Sequence, residues 1–324
     1  MKKIMFMGTP AFSVKPLEAL IASPHYEVVG VVTQPDRPVG RKHRLQPSPV
    51  KKVAVAHDIP VFQPERISRD HDIPAFIAEK EVDLIVTAAF GQFLPMQLLE
   101  LPTEGAINVH ASLLPKYRGG APVHYAIWQG EKETGVTIMR MVKQMDAGNI
   151  ITQRALPIEA TDTVAILFDK LSELGTALLL DTLPLIFNHE ATETPQVEEE
   201  ATYSPAITRA QERIDWQDNA EQIERQIRAF NSWPVAHTVM GGVRYKLWGS
   251  RVLTDTTTAT PGTIIQLTKK PAQLAVACGE GSVLSLTEIQ PAGKKAMPIA
   301  SFINGGSGGL TVGDRFESRG AHGE

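Results

Sequence analysis

The first two hundred residues alternate between short, β-branched apolar runs and longer stretches of helical spacing. That rhythm limits what the chain can fold into more than any other feature. KIMFMG (3–8) ends at a glycine and is followed at once by FSVKPLEALIAS at helical spacing. EVVGVVTQ (27–34) is β-branched and apolar, as a strand buried in a parallel sheet should be, and VDLIVTAAF (82–90) and GAINVH (105–110) are further candidate strands. Amphipathic stretches near 47–57, 70–80 and 121–129 lie between or beside them. This repetition predicts an α/β fold with a doubly wound, Rossmann-like sheet. GVTIMRM (135–141) and NIITQRALPI (149–158) add two later strands, arranged as a hairpin. One long helix is predicted over 162–188, with Val164, Leu167, Leu171, Leu174 and Leu178 on one face and Asp162 as its cap.

The rhythm stops at HEATETPQVEEEATYSPA (189–206), which is acidic, holds two prolines and has no hydrophobic period. It predicts a linker or an extended crossing segment. An amphipathic helix follows near 218–230. VAHTVM, VRYKLWGS, GTIIQL, QLAVACG and SVLSLTEIQ are then short strand signals, with a hairpin expected at Gly241-Gly242. Several short strands at this spacing predict a small β-barrel, OB-like in kind. The expected division is an α/β domain over 1–188, a linker over 189–206 and a barrel-like domain over 207–324.

Composition is consistent with two such domains: 324 residues, 43% hydrophobic and 21% charged. No apolar run approaches the roughly 20 residues that span a bilayer. The apolar run at the N-terminus is too short for a signal peptide. The single cysteine, Cys278, excludes an intrachain disulfide and a cysteine metal cluster. A cytoplasmic protein away from membranes, acting as a monomer, is the expectation. The net charge of −4 is uneven: residues 1–205 hold 19 basic and 25 acidic side chains, residues 206–324 hold 13 and 11. Arg37, Arg41, Lys42, Arg44, Lys51 and Lys52 fall within 37–52 without an acid among them. Such a loop can meet phosphates on a protein that is acidic overall.

Several familiar chemistries lack their motifs. The turn after the first strand, MFMGTPAFS, has only Gly8 where a dinucleotide fingerprint needs three glycines, and Pro10 obstructs close backbone approach. That argues against a nicotinamide cofactor. NGGSGGL (304–310) is a glycine-rich turn with no P-loop lysine. The nine histidines show no metal-ligand spacing with acids, so no metal is expected.

NVHASLLPKYRGGAPV (108–123) is the stretch with chemistry in it. Asn108 and His110 stand two apart at the carboxyl end of a strand, where open α/β sheets bind ligands. Alternation puts both on one side and Val109 on the other. An amide donor beside an imidazole suits acyl transfer, the one stabilising an oxyanion and the other handling protons. Asp146, in QMDAGNI, supplies a carboxylate for the imidazole. Equally, Asn108 and His110 can satisfy loop backbone and Asp146 can begin a turn. Lys116 and Arg118 can meet an anionic substrate or simply face solvent.

NVHASLLPKYRGGAPV together with MDAGNI resembles the folate-dependent formyltransferase family, whose signature is Asn-x-His, then Ser-Leu-Leu-Pro, then a later Asp. GTPAFSVKPLEAL, VVTQPDRPVGR, PSPVKKVA, AAFGQFLP, ETGVTIMRM, RIDW, IRAFNSWP and QPAGKKAM extend the resemblance from residue 8 to residue 297. They are similar to the branch of that family whose acceptor is methionyl-tRNA. Phe90 stands where the family often has tyrosine, and Lys116 where arginine is frequent.

The resemblance implies formyl transfer from 10-formyltetrahydrofolate, as cosubstrate, to the α-amine of methionine on initiator tRNA. It implies Asn108, His110 and Asp146 as the catalytic set, with no metal. It places the folate near Phe90, Gly91, Ser112, Leu113, Leu114, Pro115 and the Asp146 turn. It gives the basic loop, Arg37, Arg41, Lys42 and Arg44, a role on the tRNA acceptor arm. The net-positive second domain would then add phosphate contacts through groups such as Lys246, Lys269, Lys270, Lys294 and Lys295. The rivals are a folate-dependent formyltransferase acting on a small amine, a formyltetrahydrofolate hydrolase, and a non-enzymatic RNA-binding module with a vestigial Rossmann domain.

Overall fold

The computed structural model describes residues 1–39 and 44–319. Within them the chain divides into two compact units: 1–122, 133–157 and 168–205 form the first, and 123–132, 158–167 and 206–324 the second.

The first unit is built on a seven-stranded sheet. Its strands are β1 (Lys2–Gly8), β2 (Tyr26–Val32), β5 (Val61–Phe62), β6 (Leu84–Ala88), β7 (Ala106–His110), β8 (Glu133–Arg140) and β9 (Ile150–Pro157); β3 (Arg37–Val39) and β4 (Arg44–Gln46) form a separate ribbon. The order is β5-β2-β1-β6-β7-β8-β9. Pairing is parallel from β5 to β7 and antiparallel from β7 to β9, so the predicted hairpin is the β8–β9 pair. In sequence, the helices between the strands are α1 (Val14–Ala22), α2 (Pro49–Ala56), α3 (Asp72–Lys80), α4 (Met96–Leu99), α5 (Pro122–Trp128), which falls almost wholly in the second unit, and α6 (Val164–Phe187), which belongs to the first from Phe168 on. This is the α/β, Rossmann-like sheet expected from the sequence. The strand order reverses between β1 and β6, and the loops that follow those two strands are tied together. The Thr9 hydroxyl and the Gln34 side-chain amide both donate to the Phe90 carbonyl, at 3.0 and 3.2 Å.

Helix α6 explains which way β7 presents its side chains. Gly175 replaces a side chain where the helix meets the sheet; a Cβ there would lie 3.0 Å from Val109 Cγ1 and 3.4 Å from Val136 Cγ1. Val109 is therefore held against α6, and alternation along the strand sends Asn108 and His110 to the opposite face. Two details of the predicted helix are corrected. Leu174 is only half-buried, because Gly175 occupies the centre of the packed face. Asp162 does not cap the helix: its carboxylate turns back to the Glu159 amide, and the Thr163 hydroxyl faces the Ile166 amide instead.

The acidic segment after α6 belongs to the first unit and is bound to it. Thr194 and Ile150 exchange backbone hydrogen bonds of 2.8 and 2.9 Å, and Ser204 accepts and donates between Ala121 and Arg118. The segment is extended apart from one 3-10 turn at Glu198–Glu200, and many of its polar groups are satisfied by the loops beneath it.

In the second unit, β10 (His237–Met240), β11 (Val243–Leu253), β12 (Ile264–Lys269), β13 (Ala272–Ala277), β14 (Val283–Pro291) and β15 (Met297–Pro298) form an antiparallel sheet ordered β10-β11-β14-β13-β12, with β15 on β14. Its free edges are joined by residues 313–317. Gly313 and Phe316 donate to Ile264 and Gly262 on the β12 side, and Glu317 donates to Val239 on β10. The sheet thereby closes on itself, which removes its exposed edges. Trp216 and Phe316 stack inside it at 5.7 Å, with Tyr245 edge-on to Phe316. Helix α7 (Ala220–Ala229) starts at a capping box of Asn219 and Gln222, and α8 (Ile299–Asn304) covers part of the sheet.

Candidate active site

Asn108 and His110 end β7 beside two strands that order them. Thr87 on β6 is in register with Asn108, and its hydroxyl lies 2.9 Å from Asn108 Oδ1. The same hydroxyl lies 3.0 Å from the Ile107 carbonyl, so its one hydrogen serves two acceptors; with Oδ1 turned to Thr87, Asn108 Nδ2 is the donor that faces away. His110 is in register with Thr137 of β8 and is buried. Its Nε2 sits 3.1 Å from the Tyr117 carbonyl, an acceptor only, so Nε2 carries a hydrogen. Its Nδ1 faces Asp146 Oδ1 at 3.8 Å. That is ion-pair distance for an imidazolium; with a single ring hydrogen on Nε2, Nδ1 has none to give the carboxylate.

Asp146 occupies a left-handed position, φ +52, on the loop between β8 and β9. Its second carboxylate oxygen accepts from the Gly119 amide at 2.8 Å. The loop folds back tightly at Gly148, where any Cβ would strike the Arg140 carbonyl. Asp146 is thus brought to Asn108 and His110, 38 and 36 residues before it, by one strand end and one loop.

The Ser-Leu-Leu-Pro loop is built from inside. Ser112 is buried and donates to the Lys116 carbonyl at 2.7 Å, while its own carbonyl accepts from Thr137. Leu114 is buried, with its amide on Thr137 and its carbonyl on Gln153. Leu113 and Pro115 are half-buried. Phe90 lies in the core among Met5, Met7 and Ile85, so the loop after β6 presents backbone there, with Gly91 at φ +88. Phe93 and Met145, on the loops after β6 and β8, are exposed apolar side chains. Arg118 is buried rather than solvent-facing, and pairs with Glu198 at 2.8 Å.

Of the basic residues singled out, Arg37 and Arg44 are exposed on β3 and β4, Arg37 3.9 Å from Glu65. Arg41 and Lys42 lie outside the described residues. Lys269, Lys294 and Lys295 are exposed on the second unit. Lys246 pairs in register with His237, which also has Arg213 and Arg244 near it. Burial, aided by those three cations, pushes the His237 imidazole down to about 4.

Residues 1–183 match the formyl transferase family, and residues 206–307 match its C-terminal domain. The chain belongs to the formyltransferase family. It is 59% identical over 305 residues to the methionyl-tRNA formyltransferase of Enterococcus faecalis, covering 94% of this chain and 96% of that protein. It is 52% identical to the methionyl-tRNA formyltransferase of Pediococcus pentosaceus, with 94% of each chain covered. Among solved structures, the N-formyltransferase from Helicobacter canadensis, in complex with folinic acid and dTDP-3-aminofucose, superposes with a TM-score of 0.65 at 20% identity, over 88% of this chain and 99% of that one. At that identity the likeness is one of fold.

The sequence motif contains Asn108, His110 and Asp146, and also Tyr117 and Gly119, but does not show that the Tyr117 carbonyl and the Gly119 amide hold the site; Thr87 lies outside it. Thr87 alone left a signal, a hydroxyl in an otherwise apolar strand.

Proposed function

We propose that this protein transfers the formyl group of 10-formyltetrahydrofolate to the α-amine of methionine carried on initiator tRNA. The chemistry is supported above all by one observation: His110, beside the amide of Asn108, has a carboxylate on one ring nitrogen and a carbonyl on the other. The acceptor is supported by the matched relatives, which cover more than nine tenths of the chain. Asn108 Nδ2 donates to the oxygen of the formyl group as the neutral amine attacks its carbon and charge collects there. His110 carries a proton at the same site, and Asp146 holds the imidazole and accepts or relays the proton lost by the amine. The carbon–N10 bond then breaks, N10 takes a proton, and the products are formyl-methionyl-tRNA and tetrahydrofolate. His110 and Asp146 act as one coupled pair.

In this reading the first unit carries the chemistry. Its backbone at Gly91 and the Ser112–Pro115 loop meets the folate, with Phe90, Leu113 and Leu114 supporting it. The barrel, 207–324, contacts tRNA phosphates through Lys246, Lys269, Lys294 and Lys295, and the loop of Arg37, Arg41, Lys42 and Arg44 meets the acceptor arm. The enzyme works as a cytoplasmic monomer. The test is an acceptor panel. With 10-formyltetrahydrofolate present, methionyl initiator tRNA should be formylated and free methionine or an amino-sugar nucleotide should not. Faster formylation of a small amine would overturn the assignment.

A further inference from the structure

The site is backed by a side chain that neither the motif nor the catalytic roles include. Gln196, in the acidic segment after α6, donates through Nε2 to two carbonyls of the catalytic loop, Asp146 O and Gly148 O, each at 2.8 Å. Its Oε1 accepts from Arg118 Nε at 3.0 Å. The orientation of this amide follows from its partners, since the two carbonyls can only accept and the guanidinium can only donate. Arg118 is 1% exposed and is anchored by both carboxylate oxygens of Glu198, at 2.8 and 3.1 Å. The segment also fastens the other loop of the site. Thr202 binds the Tyr117 amide through its hydroxyl and the Arg118 amide through its carbonyl, both at 2.9 Å.

The two loops that meet across His110 are therefore joined from behind. One supplies the Tyr117 carbonyl to Nε2, and the other supplies Asp146 to Nδ1. A non-glycine residue at φ +52 persists only where its surroundings hold it, and the carbonyls on either side of Ala147 are held by a single amide. We propose that Gln196 is a positioning residue for formyl transfer: its carboxamide clamps the Asp146 turn so that the carboxylate stays in reach of His110. This rests on the catalytic reading of Asp146 given above.

Gln196→Glu tests it selectively. The carboxylate is nearly isosteric and keeps an acceptor for Arg118, so the segment stays anchored, but it turns an oxygen on two carbonyl oxygens and breaks the clamp. We expect kcat for methionyl-tRNA formylation to fall about tenfold to 100-fold, with KM for folate and for tRNA within about threefold of wild type. In the Asp146→Asn background the same substitution should add less than about a twofold loss, because its effect passes through the carboxylate. Gln196→Met, which removes the amide without adding charge, serves as the second variant should Gln196→Glu melt at lower temperature. An unchanged kcat in both variants would overturn the clamp. So would an undiminished loss in the Asp146→Asn background. Full activity of Asp146→Asn itself would instead overturn the catalytic reading, which separates the two failures.

Discussion

Asn108 is useful only if its amide points the right way, and Thr87 contributes to that. One hydroxyl on the neighbouring strand faces Asn108 Oδ1, so the donor end of the amide is the end offered to a substrate. Losing an oxyanion donor of this kind typically costs 100-fold to 1,000-fold, about 3–4 kcal/mol, so Asn108→Ala should lower kcat by that order with folate binding largely kept. Thr87→Val preserves shape and removes the orienting group. It should reduce kcat about tenfold through misdirected amides and leave Tm within a few degrees. Steady-state kinetics with saturating folate measure both. The motif made Asn108 and His110 visible because alternation along a strand is a property of sequence. It did not show that Nε2 of His110 faces the Tyr117 carbonyl, since a backbone group has no letter of its own. Lys116 and Arg118 were equivalent as charges in the sequence; only folding buried Arg118 against Glu198.

At the level of elements, β7 and α6 act as a pair. The glycine at 175 lets the helix lie against Val109 and Val136, and that contact settles which face of β7 carries the site. Gly175→Val should push α6 away from the sheet and destabilise the fold by about 1–3 kcal/mol, seen as a lower Tm, with activity falling alongside. The strand–helix order was legible because apolar period and chain punctuation determine it. The acidic segment reads as a linker or an extended crossing segment because its own residues make no core. Its role depends on Arg140, which pairs with Glu193 at 2.7 Å, and on Arg118 and the Asp146 turn, partners far away in sequence. The closure of the barrel was hidden for a similar reason: residues 313–317 have no strand pattern, yet they satisfy both edges of the sheet.

Across the whole molecule, two buried imidazoles make stability depend on pH. Burial pushes both His124 and His237 down to about 4 from an ordinary 6.5. Below pH 6.5 the unfolded chain binds protons that the folded chain refuses. Their contribution to stability is complete above that pH and is lost as pH falls towards about 4. Tm should drop on the order of 5 °C over this window, and His237→Gln should flatten the curve; an unchanged slope in that variant would remove His237 from the account. Charge has a second consequence. If the barrel and basic loop meet tRNA phosphates, the KM for tRNA should rise about tenfold or more between roughly 50 and 200 mM salt, with the KM for folate little changed. Formyl transfer to tRNA through the His110 pair makes one rate decisive. With 10-formyltetrahydrofolate and methionyl initiator tRNA at saturation, the wild-type chain should form formyl-methionyl-tRNA, and His110→Ala should be slower by about 100-fold or more with its fold intact. Absence of product from the wild type, or equal rates in the two proteins, would contradict it.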